Sequence, residues 1–218
     1  MTGPRIRPGS MEDAEFLAWV VYSASRAHRP VGMWNIILGA DEAGCMHYLR
    51  RLVVAEPKSL YHCDSFLIAE VDGVPAAALC KAAAHDAWAA VEEAMTNVQR
   101  DLGWTGEQIE ASYHRAGPIW ANCMPPEIGA DFIIENVATR PEYRRRGLIH
   151  SLMQATLAEA REHEFRLAQI STFIGNDAAI SAYQKSGFQI RDEKRCSDAE
   201  KLLGVPGFTR LTRDLKND

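Results

Sequence analysis

Apolar and polar positions along the 218-residue chain recur with two different periods. Phe132-Ile133-Ile134 is a short apolar run of the kind that forms a buried strand, and Val137-Ala138-Thr139 closes that strand. Pro141 has no N–H to give a sheet ladder and biases Arg140 toward extended backbone. Beyond Gly147, the residues Ile149, Leu152, Met153 and Leu157 recur at helical spacing, with Glu159, Arg161 and Glu162 on other faces. A strand, a basic turn holding a glycine and a helix thus follow one another. That order aims unpaired helix N–H groups and the positive end of the helix dipole at the space over the turn, which suits a phosphate.

Arg5-Ile6-Arg7-Pro8 alternates as a first strand, and Ser10 is an N-cap followed by Glu12 and Asp13 in a first helical turn. The helix it opens runs to about His28, before Arg29-Pro30 and Val31-Gly32. A second helix covers Glu42 to Ala55 and ends at Glu56-Pro57. Phe66–Val71 and Val74–Cys80 flank Asp72-Gly73 and predict a hairpin, the turn outweighing the alanine content of the second run. Ala82 to Arg100 has helical composition, Glu107 to Arg115 predicts a shorter helix, and Gly117-Pro118 and Met124-Pro125-Pro126 mark loops. Downstream come a strand over Phe165–Ile170, a helix over Asn176–Lys185 stopped by Ser186-Gly187, and strands over Phe188–Arg191 and Phe208–Leu215.

An apolar share of 47% and a charged share of 24% describe an ordinary globular protein, long enough for one sizeable domain over 1–218. No run approaches the length of a membrane span, and Met1 to Arg7 lacks the apolar core of a signal peptide, so a cytoplasmic protein without a membrane partner is expected. The net charge of −5 argues against a nucleic-acid partner. Within it, Arg140, Arg144, Arg145 and Arg146 form a local cluster suited to a small polyanion. The five cysteines (45, 63, 80, 123 and 196) are scattered, never in Cys-x-x-Cys spacing, and read as buried or incidental thiols in a reducing compartment. No His/Cys cluster has zinc spacing, and His62-Cys63-Asp64 lacks further ligands, so no metal is expected.

Arg144-Arg145-Arg146-Gly147-Leu148-Ile149 resembles the Arg/Gln-x-x-Gly-x-Gly/Ala loop of the GNAT superfamily of N-acetyltransferases, which holds the pyrophosphate of acetyl-CoA. Asn176, Ala179, Tyr183 and Gly187-Phe188 fit that superfamily's Asn-x-x-Ala-x-x-x-Tyr-x-x-x-Gly-Phe pattern at every spacing. The chain departs from the pattern at Ile149, where a small residue is usual. The resemblance implies an α/β (α+β) fold: a GNAT-type mixed, twisted sheet of about six to seven strands flanked by helices. It makes 82–130 a helical insertion before the cofactor-binding strand and 132–191 the acetyl-CoA-binding core. The implied activity is transfer of an acetyl group from acetyl-CoA to a primary amine, on a small molecule or a peptide, by direct attack without an acyl-enzyme. The alternative is a non-catalytic acyl-CoA-binding sensor or assembly module.

Residue roles follow from the same resemblance. Val137, Ala138 and Thr139 would pair their backbone groups with the pantetheine arm. Arg144, Arg145, Arg146, Gly147, Leu148 and Ile149 would hold the phosphates, and Asn176 would contact the arm while capping its helix. Ile149 leaves the cradle open if it turns inward and crowds the cofactor if it turns outward. Tyr183 is the candidate acid that protonates the departing thiolate, the other reading being a tyrosine packed beneath the sheet.

The base that some members carry five residues before the motif Asn is here Ser171, which cannot serve. Glu135 is the substitute: alternation places Ile133, Glu135 and Val137 on one face, unless the strand bulges or Glu135 forms a structural ion pair. Residues 82–130 carry seven acids (Asp86, Glu92, Glu93, Asp101, Glu107, Glu110 and Glu127) against two bases. That stretch reads as a substrate lid or a homodimer interface. Its acids either attract a cationic acceptor such as a polyamine or solvate the outer faces of two helices.

Overall fold

A computed structural model describes residues 3–216, so Met1 and Thr2 of the amino-terminal stretch lie outside the described residues. The strands are β1 (Arg5–Pro8), β2 (Phe66–Val71), β3 (Val74–Ala83), β4 (Phe132–Thr139), β5 (Leu167–Phe173), β6 (Gln189–Arg195) and β7 (Gly207–Asp214). They form one seven-stranded sheet in the order β1-β2-β3-β4-β5-β7-β6. Only β4 and β5 run parallel; the other neighbours are antiparallel. The helices are α1 (Ala14–Arg26), α2 (Met33–Leu38), α3 (Glu42–Leu52), α4 (Val91–Asp101), α5 (Gly106–Asn122), α6 (Leu148–Glu162), α7 (Asp177–Lys185) and α8 (Ser197–Leu203). No helix among the described residues is long and apolar enough to cross a membrane.

Alternation along the strands builds a core on each face of the sheet. Phe66, Ile68, Ala78, Cys80 and Ile133 pack against α1 to α4. Leu67, Ala69, Leu79, Phe132 and Ile134 pack against α6 and Tyr183 of α7. A third cluster joins Ile119 and Cys123 at the end of α5 to Ala199 and Leu203 of α8 and to Phe208 of β7.

Several local expectations give way to tertiary structure. Ala82 and Ala83 continue β3 opposite Ile133 and Phe132 rather than starting a helix, so sheet pairing overrides alanine's helical preference. Gly117-Pro118 does not end α5. Proline removes one helical N–H there, but Ala116 and Ile119 on either side are buried and hold the turn in place. The short helices α2 and α8 have no counterpart in the sequence pattern, because six or seven residues carry too little periodicity. Cys123 and Cys196 are not incidental thiols but a disulfide, formed where the end of α5 meets the start of α8. Beside it Asn122 Nδ2 donates to Asp198 Oδ2 at 2.7 Å. Cys45, Cys63 and Cys80 are free and buried.

Candidate active site

The site begins with a failure of strand pairing. β4 and β5 match only at Phe132↔Ala168, Ile133↔Gln169 and Ile134↔Ile170, after which they part. The other edge of β4 supplies the cause. Its register with β3 steps from Cys80↔Glu135 to Ala78↔Ala138, so Asn136 and Val137 together face Leu79, and Asn136 sits at φ 51°. One extra residue makes a bulge and bends the strand, and asparagine is among the few side chains that tolerate left-handed backbone. The bulge also resets the alternation expected for this strand. Ile133 belongs to the α1–α4 face, but Val137 packs into the opposite core and Ala138 into the first.

The parted strands open a continuous cleft of about 1270 Å³ that is bordered by both helical layers. At one end lies the basic turn. Arg145 (φ 62°) and Gly147 (φ 75°) both adopt left-handed backbone, and Gly147 is the N-cap of α6. Such turns gather successive N–H groups into a concave nest for an anion, here reinforced by the α6 dipole. A Cβ added at Gly147 would meet nothing within 4 Å, so its backbone faces open space and glycine is required by conformation alone. Arg144, Arg145, Gly147, Leu148 and Ile149 border the cleft, as do Val137, Ala138 and Thr139. Ile149 is half-buried, packing on the α6 core while also bordering the cleft, so it is neither wholly inward nor wholly outward.

Two candidates sit differently from expectation. Arg146 does not border the cleft; its guanidinium lies 5.1 Å from the Tyr143 ring centroid and donates to the Glu142 carbonyl at 3.1 Å. Asn176 does border it, but its side chain makes no helix cap. Its Nδ2 donates to Thr172 Oγ1 at 2.9 Å.

Glu135 and Tyr183 border the middle of the cleft. Burial pushes the Glu135 carboxyl up to about 7. It makes no ion pair among the described residues, so burial alone sets this rise. Burial likewise raises the Tyr183 phenol, and the charge of Glu135 raises it further. The same two causes act on Tyr61, whose ring meets Trp34 edge-on at 5.2 Å. Tyr61 lies in the loop between α3 and β2, where no motif or periodicity singles it out.

The cleft is also walled by Trp34 of α2, Tyr113 and Trp120 of α5 and Trp88 from the turn before α4, and by Trp19 of α1, whose ring centroid lies 5.9 Å from the Arg140 guanidinium. The 82–130 stretch is thus one wall of the cleft. Its seven acids are all exposed, and Glu92 alone among them borders the opening. None of the five cysteines lines it; burial pushes the Cys45 thiol up to about 12 and raises that of Cys80 as well. His62, Cys63 and Asp64 gather ligand-type atoms within 4.8 Å of one another, away from the cleft. There Asp64 N–H donates to His62 Nδ1 at 3.2 Å and Lys58 Nζ pairs with Asp64 at 2.6 Å, which accounts for the cluster as a local turn.

The sequence model of the acetyltransferase (GNAT) family matches residues 112–188, the stretch that carries β4, the basic turn, α6, β5 and α7. No curated protein sequence matches the chain significantly. Among solved structures, the crystal structure of an acetyltransferase superposes with a TM-score of 0.70 at 16% identity, over 97% of this chain and 100% of that one. An N-acetyltransferase from Staphylococcus aureus Mu50 gives 0.68 at 18% identity, over 95% and 99%. The yncA protein from Salmonella typhimurium, solved with its cofactor acetyl-CoA, gives 0.53 at 13% identity, over 100% and 96%. At such identities these structures speak for the fold, while the family match falls on the parted strands, the nest and the helix of Tyr183. The chain thus has the fold of solved acetyltransferases and carries the sequence pattern of the acetyltransferase (GNAT) family over 112–188, and together these support an acyltransferase enzyme.

Proposed function

We propose that the protein transfers the acetyl group of acetyl-CoA to a primary amine in one direct step. The observation that carries this reading is the opening between β4 and β5. It runs without interruption from the nest at Gly147 to Glu135 and Tyr183. Pyrophosphate on the nest would receive N–H donors from the turn and charge-assisted contacts from Arg144 and Arg145. The pantetheine arm would then lie along Val137 to Thr139, taking the backbone groups that β5 leaves unpaired. In this reading the chain from β1 to β7 acts as one unit.

The chemistry balances with the groups at hand. The acceptor ammonium yields a proton to the Glu135 carboxylate, directly or through a water, and the freed nitrogen attacks the thioester carbon. The C–N bond forms, the C–S bond breaks, the thiolate takes the Tyr183 proton, and the second proton shed by the acylated nitrogen returns to the Tyr183 phenolate, directly or through a water. Both phenol and carboxyl suit these roles: a raised phenol stays protonated near neutral pH, and a carboxyl near 7 is a stronger base than an exposed glutamate. A covalent acyl-cysteine finds no support, because no cysteine borders the cleft.

Thiol release from acetyl-CoA across an amine panel, paired with calorimetry of coenzyme A binding, tests the reading. Turnover that survives in Tyr183→Phe would remove the assigned acid. Failure of the folded protein to take up coenzyme A would remove the reading altogether.

A further inference from the structure

The acceptor end of the cleft has a chemistry of its own. Trp88 and Trp120 are 45% and 44% exposed, the only aromatic side chains so open to solvent among the described residues. Their rings meet edge-to-face with centroids 6.4 Å apart. Exposed aromatic surface beside a cleft, with no fold-stabilising reason to be there, marks a place where an apolar ligand covers it. The surrounding wall continues that character. Tyr113 spends its hydroxyl on Thr96 Oγ1 at 2.8 Å and the Glu92 carbonyl at 3.2 Å, within its own helical layer. Met33, Trp34 and Met95 extend the apolar lining.

The charges there do not suit a polycation. Two carboxylates border the whole cleft, Glu92 and Glu135, and the second is the proposed base. Arg26 and His28, at the close of α1, also border the cleft. The Trp88 and Trp120 rings touch each other, which leaves no slot between them for an ammonium to stack on both faces.

We propose that the acceptor is a primary amine carried on an aromatic body, which seats its ring against Trp88 and Trp120 and points its nitrogen toward Glu135. This rests on the acetyltransferase reading above and narrows it to a substrate class. The recognition is hydrophobic and geometric: rings are covered by rings, and the single amine is the only group that reaches the polar floor of the cleft.

The test uses the whole chain with 2-phenylethylamine and tryptamine against putrescine and spermidine. The arylalkylamines should show a kcat/KM at least about tenfold above the polyamines. Trp88→Ala and Trp120→Ala should each raise KM for the arylalkylamines about tenfold, with KM for acetyl-CoA within about twofold. Glu92→Gln should leave the arylalkylamine KM within about threefold. Preference for spermidine, or tryptophan variants with unchanged KM, overturns the proposal. If no amine releases thiol, the acetyltransferase reading fails separately, and calorimetry on coenzyme A-saturated protein decides the substrate class. Phenylethylamine heat lost in Trp120→Ala supports it; no heat, or spermidine heat equal to or larger than that of phenylethylamine, overturns it. Both tryptophans are exposed, so circular dichroism should report a native fold in each variant.

Discussion

Glu135 on β4 and Tyr183 on α7 approach one gap from opposite faces of the sheet, and the carboxylate's charge adds to the rise of the phenol. The separation follows from elementary strand geometry. Glu135 precedes the bulge and shares the face of Ile133, whereas Tyr183 belongs to the core beneath α6. In the proposed reaction, an acid and a base so placed would act on the two ends of one reacting bond system.

Tyr183→Phe should therefore lower kcat by about 10²–10⁴-fold, the range of a lost general acid. Its ring stays in the core, so coenzyme A affinity by calorimetry should stay within about twofold. An unaltered kcat would leave Tyr183 as a packing residue only.

Glu135 gives a pH signature. Its carboxyl, ordinarily near 4.5, is held up to about 7, so the basic form accumulates as pH rises through 7. The wild-type kcat/KM should climb across that point, and Glu135→Gln should be slow and lack the climb. Stability moves the other way. Between pH 4.5 and 7 the native state keeps a proton that the unfolded chain has released, so stability falls as pH rises through this window and is level above it. Melting temperatures of wild type and Glu135→Gln should diverge across the window, the variant gaining. Parallel curves would contradict the raised carboxyl.

The nest predicts a contrast between neighbours. Arg145→Ala should weaken acetyl-CoA binding several-fold, while Arg146→Ala, whose guanidinium is spent on Tyr143 and Glu142, should change it by less than about twofold. Gly147→Ala meets no steric obstacle, so its cost is the left-handed backbone, about 1–2 kcal/mol, visible both as a lower melting temperature and a higher Kd. Equal effects at 145 and 146 would argue against the turn's observed geometry.

The Cys123–Cys196 crosslink ties residues 73 apart in the chain. Cys196→Ser should lower unfolding stability by about 2–4 kcal/mol in denaturant titrations. Coenzyme A binding, in a cleft that neither cysteine borders, should be unaffected. Identical midpoints for the two proteins under non-reducing conditions would show that the crosslink does not form.

Features that depend on one residue's backbone demands were legible in the sequence. Gly147 and Gly187 announce left-handed turns at φ 75° and 82°, and Asp72-Gly73 announces the β2–β3 hairpin. Tyr183 and Asn176 were legible by spacing, although the hydrogen bond from Asn176 to Thr172 needed coordinates. The bulge at Asn136 was open from the sequence only as an alternative, since an asparagine permits it but Glu-Asn-Val reads as ordinary strand alternation until β3 imposes its register. Tyr61, the Cys123–Cys196 pairing and the passage of α5 through Pro118 are likewise set by what distant segments pack beside them. The acidity of 82–130 was legible as a number, but which faces of its helices look inward was not.

Residues from both faces of the sheet border the single cleft where the strands part, so in the proposed direct transfer donor and acceptor would approach from different sides of β4 and be resident together. Steady-state velocities measured against both reactants should then give double-reciprocal lines that intersect rather than run parallel, and a spent coenzyme A should compete with fresh acetyl-CoA but not with the amine.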